Sequence, residues 1–142
     1  MRRSGADRLS RSLGERFASR RVVENYRFRP PYSPEVFETL RGLIRDAPKT
    51  ILDAGCGPGK IALGLVNHAD HVDAVDPSTA MLSVARSQSG ANDSKLRWIC
   101  STIEDAPLKV PYALIVAGAS FHWMDPRRRS RDLRKYSRRA AI

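Results

Sequence analysis

The chain has 142 residues, 42% of them hydrophobic and 28% charged, which suits one domain with a moderate core and excludes a wholly disordered polypeptide. Its net charge of +10 suggests a nucleic-acid binder until the charge is located: residues 1–29 hold nine Arg against three acids, and residues 127–142 hold eight Arg or Lys against one. Residues 30–126 carry eight bases and eleven acids, so the central domain is mildly acidic and the basicity belongs to its ends.

Cys56 and Cys100 stand far apart without a CxxC or a Cys/His cluster, which argues against both a zinc site and a disulfide framework. The basic N-terminus has no apolar stretch behind it, and the longest apolar run, around Val110 to Ala119, is too short to span a bilayer. A soluble, cytoplasmic protein with no membrane partner is expected.

Residues 1–21 are rich in Arg, Ser and Gly with weak periodicity and read as a basic arm or a marginal helix. The segment YRFRPPYSP at 26–34 cannot be helical because of its prolines. Ser33 and Pro34 then start a helix of about ten residues carrying Val36, Phe37, Leu40, Leu43 and Ile44 on one face. From Thr50 strand and helix alternate: TILDA as a strand, Ile61–Val66 as a helix, HVDAVD as a strand, Thr79–Ser87 as a helix, LRWIC as a third strand and YALIVAGA as a fourth. Such alternation implies a parallel sheet with right-handed crossovers. The tail PRRRSRDLRKYSRRAAI has too few apolar residues for either period and reads as solvated.

Between the first strand and the next helix lies ILDAGCGPGK, an acid followed by Gly55, Gly57 and Gly59 at alternate positions. Glycine accepts positive φ and has no Cβ, so such a turn leaves a strand sharply and lets a ligand approach its backbone. Asp76 closes the second strand, where a carboxylate can accept hydrogen bonds from both hydroxyls of a ribose. An adenosine-containing ligand is expected. The spacing disfavours a dinucleotide fingerprint, because the third position after Gly57 is Lys60 rather than glycine. It disfavours a P-loop as well, because Ala54 stands where the first glycine would and Ile61 follows Lys60.

DAGCGPG, with VDPSTAMLSVAR at Val75 to Arg86, resembles the class I S-adenosylmethionine (SAM)-dependent methyltransferases of Rossmann-like fold. ENYRFRPPYSPEVFETL and GASFHWMD, at Gly118 to Asp125, are similar to flanking segments of small-molecule methyltransferases related to the trans-aconitate and ubiquinone-pathway enzymes. The resemblance runs from about residue 16 to 125. It implies an α/β three-layer parallel sheet, with SAM as cofactor and a small-molecule oxygen, carbon or nitrogen as methyl acceptor.

Position by position, the resemblance gives Asp53 the amino group of the cofactor and brings Gly55, Gly57 and Gly59 close to its methionine part. Asp76 would take the ribose, Met81 would line the adenine, Thr102 and the Ile103 amide would meet the adenine edge, and Ala119 would lie near the methyl group. Other roles remain open: Asp53 as a capping acid for the following helix, Met81 as plain core, Cys56 as a small loop filler. His122 beside Trp123 is a candidate general base or a packing histidine at a strand end. Tyr26, Phe28 and Tyr32 would form a lid or cap the sheet. His68 and His71 have no third ligand near them in sequence, so no metal is expected.

Class I domains have seven strands, whereas about four are legible here, so the resemblance implies a partial domain over residues 22–126, truncated after the fourth strand and followed by the Arg-rich tail. A chain of that kind is expected to hold the cofactor weakly or not at all and to turn over poorly, and an unpaired fourth strand would favour self-association. Relatives commonly carry an acid near the start of that strand. Tyr112 and Ala113 stand there instead, so the interaction made by the acid is expected to be lost. The alternative reading is a nonenzymatic binder of nucleic acid or acidic partners, whose contacts through the basic ends would be weak and electrostatic.

Overall fold

The computed structural model describes residues 30–108, 111–118 and 136–137. Seven regular elements follow in chain order: α1 (Pro34–Leu43), β1 (Thr50–Ala54), α2 (Lys60–Leu65), β2 (His71–Asp76), α3 (Thr79–Arg86), β3 (Leu96–Cys100) and β4 (Leu114–Val116). A single 3-10 turn, Val66–His68, extends α2. The strands form one parallel sheet in the order β3-β2-β1-β4. This is the expected Rossmann-like α/β arrangement, with β1 and β2 at its centre.

The central strands are hydrophobic runs because both faces of the sheet are covered. All five residues of β1 are buried, and side-chain alternation sends Ile51 and Asp53 to one face, Leu52 and Ala54 to the other. On the first face Ile51, Val72, Ala74, Leu96 and Leu114 meet Ile61, Ala62 and Leu65 of α2 and Leu82 of α3. Phe37 and Leu40 of α1 pack against the same cluster. Phe37 lies over Gly64, where an added Cβ would sit 2.2 Å from its ring, so glycine permits α1 to approach α2.

The opposite face gathers Leu52, Ala54, Val75, Ile99, Tyr112 and Ile115. Ala106 is buried with them, and Ile103 and Leu108, from the segment after β3, pack against that cluster. A polar hub lies on this face too. Asp73, 1% exposed, accepts from Arg97 Nε at 2.7 Å and Nη2 at 3.0 Å, pairs with His71 Nε2 at 2.8 Å, and accepts a hydrogen bond from the Tyr112 hydroxyl. Burial alone would raise the Asp73 carboxyl, but its bonds from Arg97, Tyr112 and His71 outweigh burial and hold it below the ordinary range. The hub ties β2 to β3 and to the entry of β4, which lies beyond β1.

α1 and α3 begin and end close to the expected positions. α2 starts one residue early, at Lys60, and finishes in the 3-10 turn. β4 is shorter than the eight residues expected from YALIVAGA. It pairs Leu114–Val116 with Ile51–Asp53 of β1, and the ladder stops where β1 turns away at Gly55. At its start Tyr112 forms an isolated parallel bridge with Ser137, donating its amide N–H to the Tyr136 carbonyl. Tyr136 packs on the second cluster, so at these two positions the segment expected to be solvated touches the sheet. Tyr112 makes an interaction of its own at this strand entry, donating its hydroxyl to Asp73.

Candidate cofactor site

The carboxyl ends of β1 and β2 meet the glycine turn, and hydrogen bonds fix its course. The amides of Gly55 and Cys56 both donate to the Val75 carbonyl, at 2.7 and 2.9 Å, folding the turn back across the end of β2. Gly57 N–H donates to Asp76 Oδ2 at 2.9 Å, and Gly59 N–H closes the turn on the Cys56 carbonyl at 2.9 Å. Gly57 and Gly59 both lie at positive φ, +54° and +80°. An added Cβ at Gly57 would meet nothing within 4 Å, whereas at Gly59 it would stand 2.4 Å from the Trp98 ring. One glycine thus faces open space and the other a wall of the core.

Asp53 sits beneath this turn. Gly59 occupies the cap position of α2 and has no side chain to offer, and Asp53 Oδ2 instead accepts from the Ala62 N–H at 3.1 Å. It fills the capping role left open by the sequence, from nine residues upstream. Burial pushes its carboxyl up to about 7, against the lowering effect of the Ala62 bond and with a further push from Asp76. Cys56, also buried, has its thiol driven well above the ordinary value by burial and by both acids, which leaves it protonated and a poor nucleophile.

Asp76 divides its carboxylate between two backbone donors: Oδ2 takes Gly57 and Oδ1 takes the Ser78 N–H at 2.8 Å. Burial raises its pKa, and the Ser78 and Gly57 bonds oppose the rise. Ser78 caps α3, its hydroxyl accepting from Met81 N–H at 3.2 Å, which sets Met81 in the first turn, 2% exposed. The Asp76 carbonyl accepts from Ser101 N–H at 3.1 Å, drawing Thr102 and Ile103 to the same strand end. Thr102 donates its hydroxyl to Asp105 at 3.2 Å, and Ile103 packs on the second cluster.

Asp53, Gly55, Gly57, Gly59, Asp76, Met81, Thr102 and Ile103 are thereby grouped around the ends of β1 and β2. Ala119, His122, Trp123, Tyr26 and Phe28 lie outside the described residues. Tyr32 is described, with its hydroxyl 3.1 Å from where a Cβ on Gly118 would stand, so the segment before α1 reaches the carboxyl end of β4. Its ring meets Phe37 edge-on at 6.4 Å. Among the described residues no group of three or more His, Cys, Asp or Glu is arranged to hold a metal ion.

A parallel sheet with a glycine turn after β1 and an acid closing β2 is a general nucleotide-binding frame, and comparison with known proteins narrows it. A family model described as a methyltransferase domain matches residues 51–140. The chain belongs to this methyltransferase family. Over 104 residues it is 38% identical to an uncharacterized methyltransferase of Mycobacterium tuberculosis, a match covering 72% of this chain and 40% of the relative. Over 79 residues it is 35% identical to a malonyl-(acyl-carrier protein) O-methyltransferase of Anoxybacillus flavithermus, covering 54% of this chain and 30% of that enzyme. The methyltransferase domain described here spans less than half the length of either.

Among solved structures it superposes on a candidate type II methyltransferase from Anaeromyxobacter dehalogenans with a TM-score of 0.66 at 30% identity, covering 80% of this chain and 46% of that one. It shares its fold with magnesium protoporphyrin IX methyltransferase from Synechocystis, solved with bound SAM, at a TM-score of 0.69 and 15% identity over 92% of this chain and 72% of that one. Sequence reasoning found the turn and Asp76. It missed Asp73, Gln88 and Trp98, whose partners are set by strand register and packing. An acid in mid-strand, as in HVDAVD, was the one available signal for Asp73.

Proposed function

We propose that this methyltransferase domain binds SAM at the carboxyl ends of β1 and β2 and directs its methyl group to a small-molecule oxygen, carbon or nitrogen. The observation that carries the reading is the pairing of Asp76 with Gly57. An ionised carboxylate has about four acceptor positions. Two of those on Asp76 hold the Gly57 and Ser78 amides, and the other two suit the paired hydroxyls of a ribose. Gly57, beside it, presents backbone with open space in front.

SAM supplies, when bound, a methyl group on a positively charged sulfur. The residues of the chain supply position, which can lower the barrier substantially for a displacement that needs nucleophile, carbon and leaving sulfur in line. Asp76 would hold the ribose, Thr102 and Ile103 would meet the base, and Met81 would wall it. Asp53 supports the turn through Ala62 and would take the amino group. Ala119 borders the methyl group, and where the acceptor must lose a proton His122 is the proposed base, both on the sequence alone.

The malonyl-(acyl-carrier protein) relative makes an oxygen acceptor one member of the class to test first. Among the described residues no helix is long and apolar enough to cross a membrane, which supports the cytoplasmic location proposed here. β4 has β1 as its one strand neighbour among the described residues, with Tyr136 and Ser137 meeting Tyr112 just before it, and we place concentration-dependent self-association along Leu114–Val116 of its outer edge.

Calorimetry with SAM tests the reading. Weak but saturable binding is expected, weakened at least about tenfold by Asp76→Ala, since a hydrogen bond to a charged group is worth about 1.5–3 kcal/mol. No binding at any concentration overturns the function, and an unchanged affinity in the variant removes the ribose role from Asp76.

A further inference from the structure

Pro58 has no backbone N–H, so its carbonyl is its one main-chain hydrogen-bonding group. That carbonyl accepts from the side-chain amide of Gln88 at 2.5 Å, thirty residues later in the turn that follows α3. The turn is itself closed, Gln88 N–H donating to the Ala85 carbonyl at 3.2 Å and Ala91 N–H to the Gln88 carbonyl at 3.2 Å. Trp98, on β3, fixes the same region from the sheet side: its indole N–H donates to the Ala91 carbonyl at 3.1 Å. The far ring of that indole lies against Gly59, with Ala85 alongside.

Neither Gln88 nor Trp98 comes within 4 Å of a Cβ placed on Gly57, so these contacts leave its open face free. Within the turn the Gly57 amide is committed to Asp76 and the Gly59 amide to Cys56. Sideways movement at Pro58 is resisted by Gln88, and movement of Gly59 toward the sheet is resisted by Trp98. We infer that Gln88 and Trp98 are positioning residues that brace the Pro58–Gly59 turn and so fix where the Gly57 backbone meets the cofactor. Neither has a role in holding ligand atoms. The inference rests on the cofactor reading above for its functional consequence, while the brace itself is a property of the unliganded chain.

Hydrogen exchange of the full chain without ligand, read on peptides covering residues 55–60 and on β1 and β2 as internal reference, tests the brace. Gln88→Glu keeps the shape but removes the donor when ionised, Gln88→Ala removes both, and Gln88→Lys restores a donor. Exchange in the turn is expected to rise about fivefold in the first two, the factor for one net hydrogen bond, with β1 and β2 unchanged and protection largely kept in Gln88→Lys. SAM affinity, measured by calorimetry on the same proteins, should fall by a similar factor in Gln88→Glu and Gln88→Ala, with the melting temperature lowered by only a few degrees, as the loss of one hydrogen bond requires. Unchanged exchange in the turn, a rise spread evenly over β1 and β2, or a Gln88→Lys variant no better protected than Gln88→Ala would overturn the brace. Local loosening in the Gln88 variants, in a protein whose wild type binds no SAM, would leave the brace standing and remove the cofactor reading instead.

Discussion

Gly57 and Gly59 stand two residues apart in one turn, yet replacing each by alanine should have unequal consequences. Both have positive φ, which costs a side chain about 1–2 kcal/mol. At Gly57 nothing lies within 4 Å of the new methyl group, so the backbone cost stands alone. At Gly59 the methyl group would be placed 2.4 and 2.8 Å from two atoms of the Trp98 ring and 3.3 Å from the Ala85 Cβ. The ring is held by its indole bond to Ala91 and cannot swing aside freely. Overpacking of this kind adds about 1–3 kcal/mol, giving a total of about 2–5 kcal/mol. For a domain of this size that lowers the melting temperature by roughly 10–20 °C. Urea unfolding of the two single variants measures the difference. Repeating Gly59→Ala in a Trp98→Leu background, where the far ring is gone, should return the penalty to that of Gly57→Ala, a coupling of about 1–3 kcal/mol. Equal penalties for the two glycines, or strict additivity of Gly59→Ala with Trp98→Leu, would refute the division of the turn into an open side and a packed side.

Two further perturbations address the buried acids, whose pH effects run in opposite directions. The Asp53 carboxyl is raised from 3.8 to about 7 by burial, so its favourable contribution is complete below its unfolded value and is lost as pH rises through about 7. Asp53→Asn should flatten this loss, gaining up to about 4 kcal/mol on wild type at pH 8 at about 1.4 kcal/mol per pH unit, measured by denaturant unfolding from pH 5 to 8; a parallel pair of profiles would refute the burial argument. Asp73 is held low, so its contribution is complete above its unfolded value and is lost as pH falls through the folded one. Tyr112→Phe removes one of its donors and should cost about 1–3 kcal/mol near neutrality while moving the acid-unfolding midpoint to higher pH, as followed by circular dichroism.

The sequence was most readable where chemistry is local. TILDA, HVDAVD and LRWIC occupy the expected strands to the residue: the first two are central runs with their interior residues buried, and LRWIC, at the sheet edge, still carries apolar residues between clear turn signals. Asp76 was legible because a carboxylate at a strand end beside a glycine turn has few purposes. The length of the fourth strand was not, since it is set by pairing with β1: the ladder runs from Leu114↔Ile51 to Val116↔Asp53 and does not include Ala117. Asp73 looked like one polar residue in an alternating run, and only register with β3 brings Arg97 to it, while Tyr112 must reach across β1. Asp53 shows how two readings of one residue can be compatible. Its bond to Ala62 is the cap, and capping α2 is what sets the geometry of the turn in which a cofactor would be held.

The alternating glycines have a deeper meaning than permissive backbone. In a parallel sheet the turn after β1 must satisfy β2, to which its first amides are bonded, and also leave room for a ligand beyond the strand ends. A side chain at Gly59 would strike the Trp98 ring packed against the turn, and one at Gly57 would project into the open space beside it, where the ligand is proposed to lie. Lys60 then opens α2 with no side-chain cap at Gly59, and Asp53 makes good that lack from the preceding strand. Acid, glycine, glycine and acid therefore form one mechanical unit: Asp53 ties the turn to α2, Asp76 ties it to β2, and the glycines let both ties coexist with a ligand. A substitution in any of the four should change cofactor affinity and fold stability in different proportions, and those proportions separate the residues that hold ligand from those that hold the turn.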